Sequence, residues 1–335
     1  ELAIMKGRVD GLEARVNTIE AGSFSETTTM SGTAGFLIGG TNSATPANDK
    51  VMMEYFYEVD LNTSFTGDDK LNIEIETGNH PGVGVGADKV GIDWGSDNGD
   101  TLKVSDLNYT FPLREWKVAV GDSMDASKVW PNACAMNNMV DNLDDCGAGN
   151  SVDLGGDQSL SVGRGFGDGW EIGFGISAND GETTKGMFTE EGADYYGVAI
   201  GYEQDSYGFT VAFSDKDTST HYGAVAFFSP ESIPATFSGG FEITNHDADF
   251  DKDDDEGTWA VGISSELGEG TISVNYGTNG AIGDDAKTDD IYAYDISYEY
   301  PINDGMSITP FIYVAETQGS ADDTTGYGAS VSFSF

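Results

Sequence analysis

The sequence predicts an all-β fold. It is a 16-stranded antiparallel transmembrane β-barrel, with 14 or 18 strands as alternatives, preceded by a short N-terminal coiled-coil helix. Three observations predict it. Hydrophobicity alternates with a period of two from about residue 30 to the end of the chain. The second face of the alternating segments is small or polar rather than apolar. The connections between them switch between short and long. A strand between two environments has the first two properties, and a barrel with turns at one end and loops at the other has the third.

Composition bounds the reading before any element is placed. The 335 residues carry 15 Lys+Arg against 58 Asp+Glu, a formal net charge of −43. That balance excludes nucleic-acid binding, which needs a basic footprint, and docking on anionic lipid. Acidic disorder needs few aromatics, whereas 15 Tyr, 18 Phe and 5 Trp recur periodically here. No window of about 18 apolar residues exists, so no transmembrane helix is predicted, although membrane strands escape such windows. The chain opens Glu1-Leu2 without a signal peptide, and its native N-terminus is expected upstream.

Residues 1–22 form a separate unit. Leu2, Met5, Val9, Leu12, Val16 and Ile19 follow 3,4 spacing, the seam of a coiled coil, and Gly22 supplies a stop. The alternative is an amphipathic helix packed on its own domain. The expected role is the end of a periplasmic stalk.

Residues 23–335 are expected to form the barrel. The last strand is the clearest: Tyr327, Ala329, Val331, Phe333 and Phe335 alternate with Gly328, Ser330, Ser332 and Ser334. Sixteen such segments lie at 33–39, 51–62, 70–77, 102–111, 115–121, 158–165, 170–178, 195–203, 207–213, 221–228, 235–243, 258–265, 271–277, 291–299, 306–314 and 326–335. A soluble sandwich usually runs about 100 residues, and this pattern continues about three times as far. Sixteen strands leave an aqueous channel where eight would be filled by side chains. Short turns are expected at Phe111-Pro112-Leu113-Arg114, Gln204-Asp205-Ser206, Leu267-Gly268-Glu269-Gly270 and Pro301-Ile302-Asn303-Asp304-Gly305.

The join between the two units carries a family likeness. Gly11-Leu12-Glu13-Ala14-Arg15-Val16, followed by Glu20-Ala21-Gly22-Ser23-Phe24-Ser25-Glu26-Thr27-Thr28-Thr29-Met30-Ser31-Gly32, resembles the region between coiled coil and barrel in cyanobacterial outer-membrane porins. Those proteins combine an S-layer-homology domain, a coiled coil and a carbohydrate-selective-type barrel, and some are called iron-uptake porins. The S-layer-homology domain is absent from this chain. The resemblance implies an outer-membrane homotrimer whose upstream part binds peptidoglycan-linked polymer and whose N-terminal helix lies in the periplasm.

The segment 122–157 is too long for a turn, and loops of that length in compact proteins are usually functional. It is expected to fold into the lumen, with a floppy external loop as the alternative. Asp122, Asp125, Lys128, Asp141, Asp144 and Asp145 would then line a constriction opposite Lys117, Arg114 and Arg164. Cys134 and Cys146 would stiffen it through a local disulfide, the better reading for an exported protein; two free thiols are the alternative. Inward acidic positions Glu54, Glu58, Asp60, Glu74, Glu76, Asp106, Asp295 and Glu299 are expected to favour cations, while Lys117, Arg114 or Arg164 at the narrowest point could reverse the sign.

Enzyme signals are poor. His80 and His246 read as loop residues, and no Ser or Cys sits in a nucleophile context. No cofactor is expected. The run bearing Asp247, Asp249, Asp251 and Asp253 lacks the central Gly and final Glu of a calcium loop, so a solvated acidic loop leads; Ca²⁺ or Mg²⁺ bridging to lipopolysaccharide is the alternative. Phe335 reads as an assembly signal. The leading functional expectation is a passive channel for inorganic ions and small hydrophilic solutes. A structural tether and a surface receptor are the competing classes.

Overall fold

The computed structural model describes residues 27–42, 50–79, 92, 94–95, 98–246, 256–283, 290–316 and 322–335. The coiled-coil seam, His80 and the acidic run 247–255 lie outside them.

Every predicted strand is present. The first eight are β1 (Thr28–Asn42), β2 (Met52–Thr63), β3 (Lys70–Gly78), β4 (Lys103–Leu113), β5 (Trp116–Asp122), β6 (Gln158–Phe166), β7 (Trp170–Asn179) and β8 (Ala193–Gln204). They are followed by β9 (Tyr207–Lys216), β10 (Ser219–Phe228), β11 (Ala235–His246), β12 (Glu256–Leu267) and β13 (Gly270–Thr278). A two-residue strand, β14 (Ile282–Gly283), pairs with the start of β12. The chain ends with β15 (Tyr292–Asn303), β16 (Met306–Ala315) and β17 (Thr324–Ser334). Each long strand pairs antiparallel with its sequence neighbours, β13 going directly to β15. β1 joins β2 on one side and β17 on the other, from Thr33 opposite Ser334 to Asn42 opposite Thr325. The sheet therefore closes with 16 long strands, and among the described residues no long strand is left with an unpaired edge.

Alternation sets which way each side chain points. On β1, Phe36 and Ile38 are exposed, while Leu37 between them is fully buried. The same outward exposure recurs at Phe174, Ile176, Ile200, Val211, Phe241, Val261, Val274, Ile296 and Ile312. Apolar surface continued round a whole molecule suits lipid rather than water. Aromatic rings cluster at both rims. Trp170 packs on Tyr202 and Phe209 at one end, with centroids 5.0 and 5.9 Å away. Tyr276 packs on Trp259 and Tyr292 at the other, at 5.3 and 5.8 Å.

Two expected turns require correction. β4 runs on through Phe111, Pro112 and Leu113, and β15 through Pro301, Ile302 and Asn303. Ladder pairing needs only backbone, so it outlasts the side-chain alternation, and an irregular register between Pro301 and Asn303 absorbs the offset. At this end the connections are short, such as Arg114-Glu115, Asp205-Ser206 and Asp304-Gly305. The opposite end carries the long connections, including 79–102 and 123–157.

Candidate functional site: a hoop inside the barrel

The connection from β5 to β6 lies against the inner wall as a two-legged hoop. Its outgoing leg meets successive strands in order. The Val129 amide donates to Ser161 Oγ on β6 at 3.2 Å, and the Ala135 amide to Ser238 Oγ on β11 at 2.9 Å. Asn275 Nδ2 on β13 donates to the Asn137 carbonyl at 2.8 Å. Asp295 Oδ2 on β15 accepts the Met139 and Val140 amides at 2.9 and 3.2 Å. The return leg retraces the circuit. Thr258 Oγ1 on β12 donates to the Gly147 carbonyl, and Ser214 Oγ on β9 to the Asn150 carbonyl. Glu242 on β11 accepts the Ser151 amide and hydroxyl, each at 2.7 Å, and Asn150 Nδ2 at 2.9 Å. The Asp157 amide reaches Ser177 Oγ on β7.

Glycines on the wall make room for it. A Cβ on Gly173 would meet Trp130, on Gly175 Ala126, on Gly201 Pro131, on Gly240 Cys146 and on Gly262 Met136. Glycine weakens an isolated strand, and its recurrence marks close approach of another chain segment. Cys134 and Cys146 form a disulfide, with Cα atoms 5.8 Å apart, that joins the two legs. Cross-linking a loop of this length stabilises by about 3 kcal/mol in the chain-entropy picture. Beyond it, the tip 135–145 reaches the far wall, where Met139, Val140 and Leu143 pack with Leu37, Phe311 and Tyr313. Ile92 from the 79–102 connection makes a bridge with Val140, and Trp94 packs edge-on against Phe56 at 4.8 Å.

The hydrogen bonds of the two legs run to strands β6 to β15, and the inner face of β2 to β4 is acidic. Glu58 stands opposite Glu76, and Asp60 opposite Glu74. Like charges directly opposite are destabilising, so this arrangement is not made for stability. Polar neighbours moderate it: Asn72 Nδ2 donates to Asp60 at 2.7 Å, Ser105 Oγ to Glu74 at 2.7 Å, and Lys103 pairs with Glu76 at 3.0 Å. Facing the wall from the hoop, Lys128 pairs with Asp106 at 2.8 Å. Beside it, Asp125 touches solvent but is ringed by protein, and this desolvation, with Asp153 nearby, pushes its carboxyl up to about 6. Lys128 partly opposes that rise. Desolvation also raises Asp144.

The other predicted site residues divide into three groups. Lys117 is on the inner face, opposite Gly163 in register, near the short-turn end. Asp141, Asp144 and Asp145 lie in the 3₁₀ turn Asp141–Gly147 of the hoop, and Asp145 accepts Asn132 Nδ2 at 2.7 Å. Glu299 lies at the short-turn end of β15, exposed. Five placements correct the expectation. Arg114 sits in the exposed β4–β5 turn with φ of 60°. Arg164 shares the outward face with Val162; it pairs with Glu115 and lies over the Trp116 ring at 5.8 Å. Asp122 falls on the side of Leu107 and accepts Gln158 Nε2 at 2.6 Å. A one-residue shift in strand parity inverts the facing, and so moves Arg164 and Asp122 outside. Asp295 is inward but fully covered by the hoop, and Glu54 is almost fully buried, so neither faces open space. The sequence reading missed Glu242, Ser161, Ser238 and Asn275 as hoop contacts; inward glycines within strands were the available signal. Phe335 exchanges backbone hydrogen bonds with Gly32 and stacks on Tyr57 at 6.1 Å. His246 ends β11 and contacts Glu256 at 3.1 Å. Among the described residues no group of three or more His, Cys, Asp or Glu could hold a metal ion.

A closed 16-stranded barrel with a long early connection wrapped inside it is the porin fold, and solved structures agree. An anion-selective porin from Comamonas acidovorans aligns with TM-score 0.65 over 92% of this chain and 99% of its own, at 13% identity. A mutant of the Rhodopseudomonas blastica porin aligns with TM-score 0.58 over 92% and 100%, at 11% identity. A loop-deletion mutant of OmpT, an outer membrane protein of Vibrio cholerae, aligns with TM-score 0.65 over 92% and 99%, at 8% identity. In sequence, the chain is 25% identical to an uncharacterised protein of Nostoc sp., across 96% of this chain and 68% of that protein. No family model matches.

Proposed function

We propose that the chain is an outer-membrane porin, a passive aqueous channel for inorganic ions and small hydrophilic solutes that prefers cations. The observation that carries this reading is the asymmetry of the inner wall: the hoop is hydrogen-bonded to strands from β6 to β15, while Glu58, Asp60, Glu74 and Glu76 gather on the inner face of β2 and β3. An acidic wall in a confined channel raises the local concentration of cations. The porin-fold neighbours support outer-membrane residence and a channel rather than an enzyme. The resemblance at residues 11–32, together with the Nostoc relative, supports a cyanobacterial porin. On this reading residues 1–22 form a periplasmic coiled coil under a homotrimer, an upstream region links the barrel to peptidoglycan-linked polymer, and the acidic loops meet lipopolysaccharide through Ca²⁺ or Mg²⁺.

Reversal potentials in a planar bilayer under a salt gradient test it. Cation preference is expected at low salt and should weaken as salt rises. Charges more than about 8–10 Å from the ion path are largely screened near 0.1 M. Anion preference at every salt concentration would show that Lys117 and Lys128 dominate. An absence of conductance would leave the tether or receptor.

A further inference from the structure

We propose that Asp295 is a proton-operated catch for the tip of the hoop. Asp295 is fully buried on the inner face of β15. One of its oxygens, Oδ2, accepts both the Met139 and Val140 amides, and the other accepts Asn275 Nδ2 at 2.8 Å. No ion pair reaches it among the described residues. The groups packed against it are the two hoop amides, Asn275 from β13 and, directly opposite in register, Tyr313 from β16; the Tyr313 hydroxyl is the one titratable group among these. Hydrogen bonds from three N–H groups thus satisfy both carboxylate oxygens in a buried place. A proton taken from solvent onto Oδ2 converts an acceptor of two amides into a donor, and at least one amide loses its partner.

The position matters because Val140 is also where the hoop meets the 79–102 connection, through its bridge to Ile92. Asn142 Nδ2 donates to Asn279 Oδ1 at 2.8 Å two residues further on. The return leg is fastened separately, by Glu242, which has His221 Nδ1 at 3.4 Å beside it. The tip is therefore held by an unpaired carboxylate and the return leg by a paired one, so acid frees the tip first. This rests on the porin reading only for its effect on conductance; the catch itself is a property of the fold.

Amide hydrogen exchange on the detergent-folded protein tests it. At pH 7, Asp295→Asn should raise exchange of residues 137–143 at least tenfold while leaving 148–152 unchanged. Glu242→Gln should do the converse. The wild-type chain moved from pH 7 to pH 4, after correction for intrinsic rates, should lose protection at 137–143 before 148–152, and this arm needs no variant to fold. Equal protection of the tip in wild type and Asp295→Asn, or in the wild type at both pH values, would overturn the catch. A freed tip in a protein that shows no single-channel conductance would sustain the catch and count against the channel reading.

Discussion

Asp125 shows how a residue's environment, rather than its identity, sets its charge. An aspartate in open water ionises near pH 3.9. Here the walls and Asp153 raise it to about 6, with Lys128 opposing and Asp106 adding to the rise. Because the folded-state value is raised, the proton favours the folded hoop. The associated stability is complete below the ordinary carboxylate range and is lost as pH climbs through about 6. Cation preference should change in step, increasing between about pH 5 and 7 as the charge appears. The comparison is with Asp125→Asn, whose selectivity should be flatter across the same range. Reversal potentials measured at several pH values in both proteins decide it, and identical profiles would show that Asp125 does not contribute. Arg164 teaches the opposite lesson: its charge is ordinary, but its place on the outward face removes it from the lumen.

At the scale of the element, the hoop and the wall are one design. The outgoing leg can lie flat because Gly173 and Gly175 present backbone where other strands present side chains. Adding a branched side chain at Gly175 would push against the Ala126 carbonyl and the Trp130 ring. Overpacking of this kind costs about 1–3 kcal/mol. Gly175→Val should leave the barrel closed, since its strand ladders are untouched, yet drive residues 124–131 into the gap and lower conductance. Folded yield by gel mobility with and without heating, followed by single-channel recording, provides the measurement; wild-type conductance from a folded variant would refute the packing argument. Separately, replacing Cys134 and Cys146 by Ser should loosen the tip relative to the legs, seen as faster exchange across 135–145 with the barrel intact.

At the scale of the whole molecule, closure depends on one seam. β1 and β17 meet there, and Phe335 finishes it by exchanging hydrogen bonds with Gly32 and stacking on Tyr57. Deleting Phe335 should therefore reduce the amount of folded protein in the outer membrane. Unchanged yield would show that the terminal residue is neither an assembly signal nor a needed part of the seam.

What the amino-acid order determined by itself was the barrel: the period of two, the strand count and the alternation of short and long connections. These are local, because a strand between lipid and lumen must change polarity at every residue. The sixth strand forms for the same reason, its Ser159, Ser161 and Gly163 making an inward face that alternates with Leu160 and Val162. Strand ends were less legible, since backbone pairing carries β4 and β15 beyond their patterned side chains. Tertiary structure alone decided the interior. Nothing in the spacing of 123–157 states that Ala135 meets Ser238, or that Asp295 holds Val140, because those partners lie more than a hundred residues apart. Closing the barrel brings them together, and the same closure decides which carboxylates are covered by the hoop and which are left facing the gap.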